Sequence, residues 1–223
     1  TGGFDLSKVS ARKNLNETAF FFPKLISDKD GIVRMEFTMP EALTKWKFLG
    51  FAHDKEMRSG FLSDSMVTAK DIMVQPNPPR FLREGDKIEF TVKVSNQSPT
   101  IQKGTVRLTF NDARINQSVD RELGNKVTDL NFEIPAKQSR TYSWKISVPD
   151  DLGVITYKAV GGTGKISDGE EGYLPVLSRR IFVTESMPLP IRGAQTKKFN
   201  FEKLVASGNS DTIKHKNLTV QMV

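Results

Sequence analysis

The 223 residues include no cysteine, 33 Lys and Arg against 26 Asp and Glu, and 37% hydrophobic residues. Such a chain is long enough to bury one or two cores, and it excludes disulfides, thiolate metal sites and a cysteine nucleophile of its own. The formal net charge of +7 does not define a nucleic-acid binder. Its basic residues are scattered along the solvent sides of predicted strands, and the pairs Arg179-Arg180 and Lys197-Lys198 are short.

No apolar run approaches the roughly 18 residues that span a bilayer. The N-terminal Thr-Gly-Gly-Phe-Asp-Leu lacks a charged-then-apolar pattern, so a signal peptide is expected to be absent or already removed. The sequons at Asn16, Asn96, Asn116 and Asn217 would matter only in a eukaryotic secretory pathway.

Residues 1–11 are small and polar and read as a flexible leader. Phe20-Phe21-Phe22 before Pro23 reads as the end of a core strand in preference to an exposed anchor, and Asp28-Lys-Asp-Gly31 as a turn. In 32–39, Val33, Met35, Phe37 and Met39 alternate with Arg34, Glu36 and Thr38, which predicts a half-buried strand. Pro40 ends it, since proline cannot donate to a ladder. A buried Trp46 and a second strand through Ala52 are expected next. The cluster at 76–79 disfavours both helix and ladder, and marks the domain boundary.

Beyond it the alternation is clean. Ile88, Phe90, Val92 and Val94 share one side, as do Val106, Leu108 and Phe110, and Leu130, Phe132 and Ile134. Tyr142, Trp144, Ile146 and Val148 follow, then 154–160 and 169–177. With 71–74 leading in, seven strands separated by turns predict an antiparallel β-sandwich. After the prolines at 188 and 190, residues 196–204 and 216–223 read as two further strands.

Five places in the chain carry residue types that invite a chemical reading. Gly161-Gly-Thr-Gly-Lys165 has Ala159 and Ile166 where a phosphate loop needs Gly and Ser or Thr, and reads as a turn. The Asp28 loop lacks the acidic residues of a calcium site. In Asp168-Gly-Glu-Glu171 the adjacent glutamates point to opposite faces of a strand, so they form no acid/base pair by themselves. His53 and His215 are isolated in sequence, and neither Ser59 nor Ser207 sits in a nucleophile elbow. No catalytic, metal or cofactor-binding residue is assigned.

The wording of the chain says more. Asn14-x-x-Glu17-Thr18-Ala19-Phe20-Phe21, a Gly31-led stretch ending in Met39-Pro40-Glu41, and Leu43-Thr44-x-Trp46-Lys47-Phe48 resemble the alpha-2-macroglobulin superfamily. The match is to the segment after the protease bait region, in the bacterial branch. It continues through Asn77-x-Pro79-Arg80-Phe81-x-Arg83-Glu84-Gly85-Asp86.

The resemblance implies an all-β chain of tandem antiparallel macroglobulin (fibronectin-III/Ig-like) sandwiches. Residues 1–74 would be the C-terminal part of one such domain and 75–183 a complete seven-stranded one. Residues 184–223 would be a linker and the first strands of a CUB-like domain. It implies a non-enzymatic structural fragment of a broad-spectrum endopeptidase inhibitor, which traps proteases by conformational change after bait cleavage.

Its partners would be proteases, reached through the full-length parent, and the neighbouring macroglobulin, CUB and helical thioester-type domains. Neither nucleic acid nor direct membrane insertion is implied, and the location would be periplasmic or extracellular, at the cell envelope. Asn14, Glu17, Thr18, Phe20, Pro40, Trp46, Pro79, Arg83 and Gly85 would be packing positions of the family signature. The alternation alone fits equally an Ig-like adhesive or spacer module of a surface or glycan-processing protein.

Overall fold

The computed structural model describes residues 5–211 and 213–221, which fall into two compact units, 1–179 and 180–223. The first unit is built around a sandwich of two sheets. A three-stranded sheet has the order β3-β5-β8, from β3 (Ile72–Asn77), β5 (Lys87–Asn96) and β8 (Ser139–Ser147). A five-stranded sheet has the order β4-β10-β9-β6-β7, from β4 (Leu82–Arg83), β6 (Gln102–Asp112), β7 (Asp129–Ile134), β9 (Val154–Gly162) and β10 (Ser167–Leu177). Pairing is antiparallel throughout, apart from two parallel residue pairs between β10 and β4.

Alternation decides what is buried. Phe90, Val92 and Val94 of β5, Val106, Leu108 and Phe110 of β6, and Ile155, Tyr157 and Ala159 of β9 interdigitate between the sheets. That is the arrangement that one apolar stripe per strand demands. Phe90 meets the Phe110 ring edge-on at 5.4 Å, the offset geometry aromatic quadrupoles favour. The seven long predicted strands are all present, and β4 is an eighth.

Pro76, read from sequence as a boundary, lies inside β3 opposite Val92. A ladder tolerates it because β3 is an edge strand whose outer side needs no donor. The sandwich therefore begins hydrogen-bonding at Ile72, ahead of the boundary drawn at residue 75.

Ahead of the sandwich, β1 (Lys45–His53) and β2 (Ser59–Val67) form a separate two-stranded antiparallel sheet. The expected strand over 32–39 is not formed. Val33, Met35 and Phe37 remain exposed, and an extended run with no neighbour to accept its hydrogen bonds has no ladder to join. The expected leader differs too. Residues Leu6–Lys8 make a 3-10 turn, and Leu6, Val9 and Ala11 are buried against Val160.

In the second unit the described residues contain one regular element, the helix α1 (Glu202–Ser207), and no strand. The expectation of strands at 196–204 and 216–223 is thus corrected for the described residues; 222 and 223 lie outside them. Glu202, Lys203, Leu204 and Ala206 are good helix formers, and the described residues of this unit hold no strand with which the alternation of Phe199 and Phe201 could pair.

Candidate functional site

The most elaborate polar cluster gathers around Arg12, at the junction of four chain segments. Asp168, Glu170, Gly172, Leu174 and Val176 have the same parity along β10, so the two carboxylates occupy the stripe whose apolar members fill the core. Asp168 is 0% exposed, and a carboxylate buried this deeply requires cationic and hydrogen-bonding partners.

Arg12 supplies them. Its Nε donates to Asp168 Oδ1 at 3.1 Å, and its Nη2 lies 3.2 Å from Asp168 Oδ2, 3.1 Å from Glu170 Oε2 and 3.0 Å from the Val74 carbonyl. Lys70 Nζ donates to Asp168 Oδ1 at 2.9 Å, and the Val74 amide to Oδ2 at 2.9 Å. Two cations thus face two anions. Removing the guanidinium would leave Asp168 with Lys70 and the Val74 amide and take the Arg12 charge from Glu170; breaking a buried pair from one side costs about 3–5 kcal/mol.

The backbone joins as well. The Arg12 amide donates to the Gly169 carbonyl at 2.8 Å, and the Glu171 amide donates to the Arg12 carbonyl at 3.1 Å. Glu41 then ties the connector in. Its carboxylate accepts from the amides of Lys13 and Asn14 at 2.9 and 3.0 Å, and its own amide donates to the Asn14 carbonyl at 2.7 Å. Those two amides hold the Glu41 carboxyl below its ordinary range. Burial pushes Glu170 up, with the Arg12 charge opposing. Burial, with the Glu170 charge adding to it, also pushes the Tyr157 hydroxyl up to about 12. Gly172 is required beside that hydroxyl, since a Cβ there would lie 2.5 Å from it.

The residues singled out from sequence fall into three places. Asn14 and the buried Pro40 flank the Glu41 contact. Phe20 is half-buried and packs on Phe22, Phe37 and Phe48, with centroids 5.3, 4.2 and 6.1 Å away. Glu17 and Thr18 are exposed on the coil before it. Trp46, expected to be buried, is half-buried, and its Nε1 donates to Thr68 Oγ1 at 3.1 Å. Two strands alone cannot enclose an indole.

Pro79, Arg83 and Gly85 belong to a different end of the sandwich. Pro79 is exposed after β3, and the Arg83 guanidinium lies 5.7 Å from the centre of the Phe81 ring. Residues 83–86 form a turn closed by the Asp86 amide on the Arg83 carbonyl at 3.0 Å, with Gly85 at φ 85° as a type II turn requires. Within that turn Glu84 is buried and accepts from the amides of Asp151 and Arg179.

Sequence reasoning missed Arg12, Lys70, Glu41 and the use of Asp168 with Glu170. The available signal was the i, i+2 spacing of two acids on an otherwise apolar stripe. Gly161 and Gly162 end β9 and lead into a hairpin turn held by Thr163, as expected. Asp28 accepts the amides of Asp30 and Ile32 in the turn expected there. His215, isolated in sequence, lies with its Nε2 2.7 Å from Ser207 Oγ, which also reaches the Leu204 carbonyl at 2.7 Å. That pair caps the end of α1. No group of three or more His, Asp or Glu residues that could hold a metal occurs among the described residues.

These sheets define an all-β protein of antiparallel sandwich type, with its polar machinery invested in joining chain segments. The model of the alpha-2-macroglobulin family matches residues 18–108. Alpha-2-macroglobulin of Thermotoga maritima is 27% identical over 172 residues, which cover 76% of this chain and 10% of that protein. The alpha-2-macroglobulin homolog of a Nostoc species is 25% identical over 99 residues, covering 44% of this chain and 5% of that protein. The crystal structure of trypsin activated alpha-2-macroglobulin from Escherichia coli is similar in fold, with a TM-score of 0.50 at 14% identity, over 67% of this chain and 10% of that one. The family model and these relatives support the alpha-2-macroglobulin superfamily for this chain. It spans a tenth or less of the length of these relatives.

Proposed function

We propose that the chain is a non-catalytic segment of an alpha-2-macroglobulin-like endopeptidase inhibitor, lying just after the bait region. A protease would cut upstream, the domains would rearrange, and this segment would carry that motion toward the trap. The chain has no cysteine, so any thioester step would belong to another part of the parent. The division into residues 1–74, 75–183 and 184–223 is part of this reading, as is a periplasmic or cell-envelope location. No helix among the described residues is long and apolar enough to cross a membrane.

One observation carries the proposal beyond family membership. The β1–β2 hairpin leaves Leu49, Phe51, Phe61, Leu62, Met66 and Val67 exposed, with Phe51 directly opposite Phe61. An isolated hairpin is marginal in water, and a dense exposed apolar surface marks an interaction face. The rest of that domain is therefore expected from upstream of the bait in the parent. The trypsin activated form of the E. coli relative supports a protease as the triggering partner. These relatives do not favour the adhesive or spacer alternative.

The test is to treat the full-length parent with proteases of different specificity. Cleavage at one segment, compaction by small-angle scattering and loss of activity on large protein substrates are the expected results. Cleavage without compaction, or inhibition by the isolated chain at micromolar concentration, overturns the proposal.

A further inference from the structure

We propose that the outer edge of β10 is a strand-docking site for an extended, arginine-bearing segment, and that residues 5–14 are its exchangeable occupant in cis. This goes beyond the inhibitor reading and does not rest on it.

The site is built on both faces of the sheet edge. β4 covers the outer side of β10 only at Val176 and Leu177, which leaves the backbone around 169–171 to accept another strand. Arg12 takes that place as a parallel bridge to Glu170. On the outer face, Leu6, Val9 and Ala11 settle on Val160 in a small cluster apart from the main core. Gly169 permits the close approach, because a Cβ there would lie 2.7 Å from Val160 Cγ1 and 3.4 Å from Ala11 Cα. One residue further on, the chain turns its side chain to the opposite face, where Asp168 and Glu170 receive Arg12.

Recognition thus has three parts: backbone pairing, a shallow apolar seat and an acidic receptor. This is strand addition with side-chain selectivity. The receptor is cut for arginine, since one planar fork spans both Asp168 oxygens while also reaching Glu170. The ligand pattern is Leu-x-x-Val-x-Ala-Arg, as read in residues 6–12. Exchangeability follows from the separation of the two apolar cores: lifting the strap uncovers Val160 and withdraws the Arg12 side chain from Val74 and the acidic pair, but removes no apolar residue from between the sheets.

The experiment uses the full chain carrying L6D and R12A, both on the strap and neither on the receptor. A fluorescein-labelled peptide with the sequence of residues 5–14 is titrated and read by anisotropy. Saturable binding at least about tenfold tighter than to the unsubstituted chain is expected, because the latter's own strap competes. A peptide with alanine in place of the arginine should bind at least about tenfold more weakly.

Equal binding by both chains, or by both peptides, overturns the proposal. Should the doubly substituted chain fail to fold, hydrogen exchange on the unsubstituted chain decides. The Arg12 and Glu171 amides are expected to exchange through an opening that leaves the β6–β9 ladder protected. Exchange of those two amides only through global unfolding also overturns the proposal.

Discussion

Trp144→Ala tests whether the sandwich core is where the apolar stripes place it. Trp144 is 4% exposed on β8, directly opposite Phe90 on β5, and its Nε1 donates to the Thr128 carbonyl at 3.2 Å. That carbonyl also accepts the Leu108 amide at 3.0 Å, so truncation leaves no buried acceptor without a partner. The loss is then almost entirely one of packing. Emptying a site of this size between two sheets costs about 3–5 kcal/mol, a large share of the roughly 5–15 kcal/mol that holds a typical domain together. With a urea m-value of about 1–3 kcal/mol per molar, the unfolding midpoint should fall by about 1 M or more.

The assay follows from where the second tryptophan sits. Trp46 is on the hairpin, so fluorescence of the substituted chain reports β1 and β2, and far-UV circular dichroism must be used for the sandwich. A midpoint shift in dichroism with little change in Trp46 fluorescence is the expected pattern. Trp144→Phe, which keeps a ring against Phe90, should lose only about 1–2 kcal/mol. A loss below about 1 kcal/mol for Trp144→Ala would refute the placement of this side chain in a close-packed core.

Gly85→Ala should destabilise by about 1–2 kcal/mol, because φ 85° is a left-handed conformation that an L side chain adopts at that cost; urea unfolding checks it. The Glu41 carboxyl, held down by the Lys13 and Asn14 amides, contributes stability that is present above the ordinary range near about 4.3. That contribution is lost as pH falls through its lower folded value, and E41Q should remove it. Glu170 has the opposite sign. Burial raises its folded pKa, so its contribution is complete below about 4.3 and lost as pH rises through the raised value. Stability of E170Q should therefore decline less over that window, as midpoints from about pH 3 to pH 7 would register. Phe51→Ser and Phe61→Ser, at residues 70% and 69% exposed, should change the stability of the isolated chain by no more than about 0.5 kcal/mol. Light scattering should show reduced self-association for both.

Which parts of this structure were legible in the sequence depends on where the deciding partner lies. In β5 the alternation of Ile88, Phe90, Val92 and Val94 finds neighbours on both sides, β3 and β8, and the strand is where the pattern puts it. The family signature was legible as words, and Gly85 has a local reason in its turn. Arg12 had no local reason to be read as buried. The residue that buries it is Asp168, 156 positions away, and in a stretch of Arg-Lys-Asn a cation reads as solvated. The strap was opaque for the same cause, since Leu6, Val9 and Ala11 match neither a helical nor a strand period and acquire meaning only against Val160.

The misread strand at 32–39 carries the complementary lesson. Val33, Met35, Phe37 and Met39 alternate as well as any stripe in the sandwich, yet no ladder forms and the first three stay exposed. Periodicity reports which side of a strand faces a core, and says nothing about whether the neighbouring strand is on the same chain segment. On the proposed reading, an alternating run left extended beside a two-stranded hairpin, with Phe20 already packed on Phe37 and Phe48, would be half of a domain whose remaining strands come from elsewhere. On that reasoning, supplying the upstream part of the parent should order 32–39 into a ladder. Slowed hydrogen exchange of those amides, without any change in the β6–β9 ladder, is the measurable consequence.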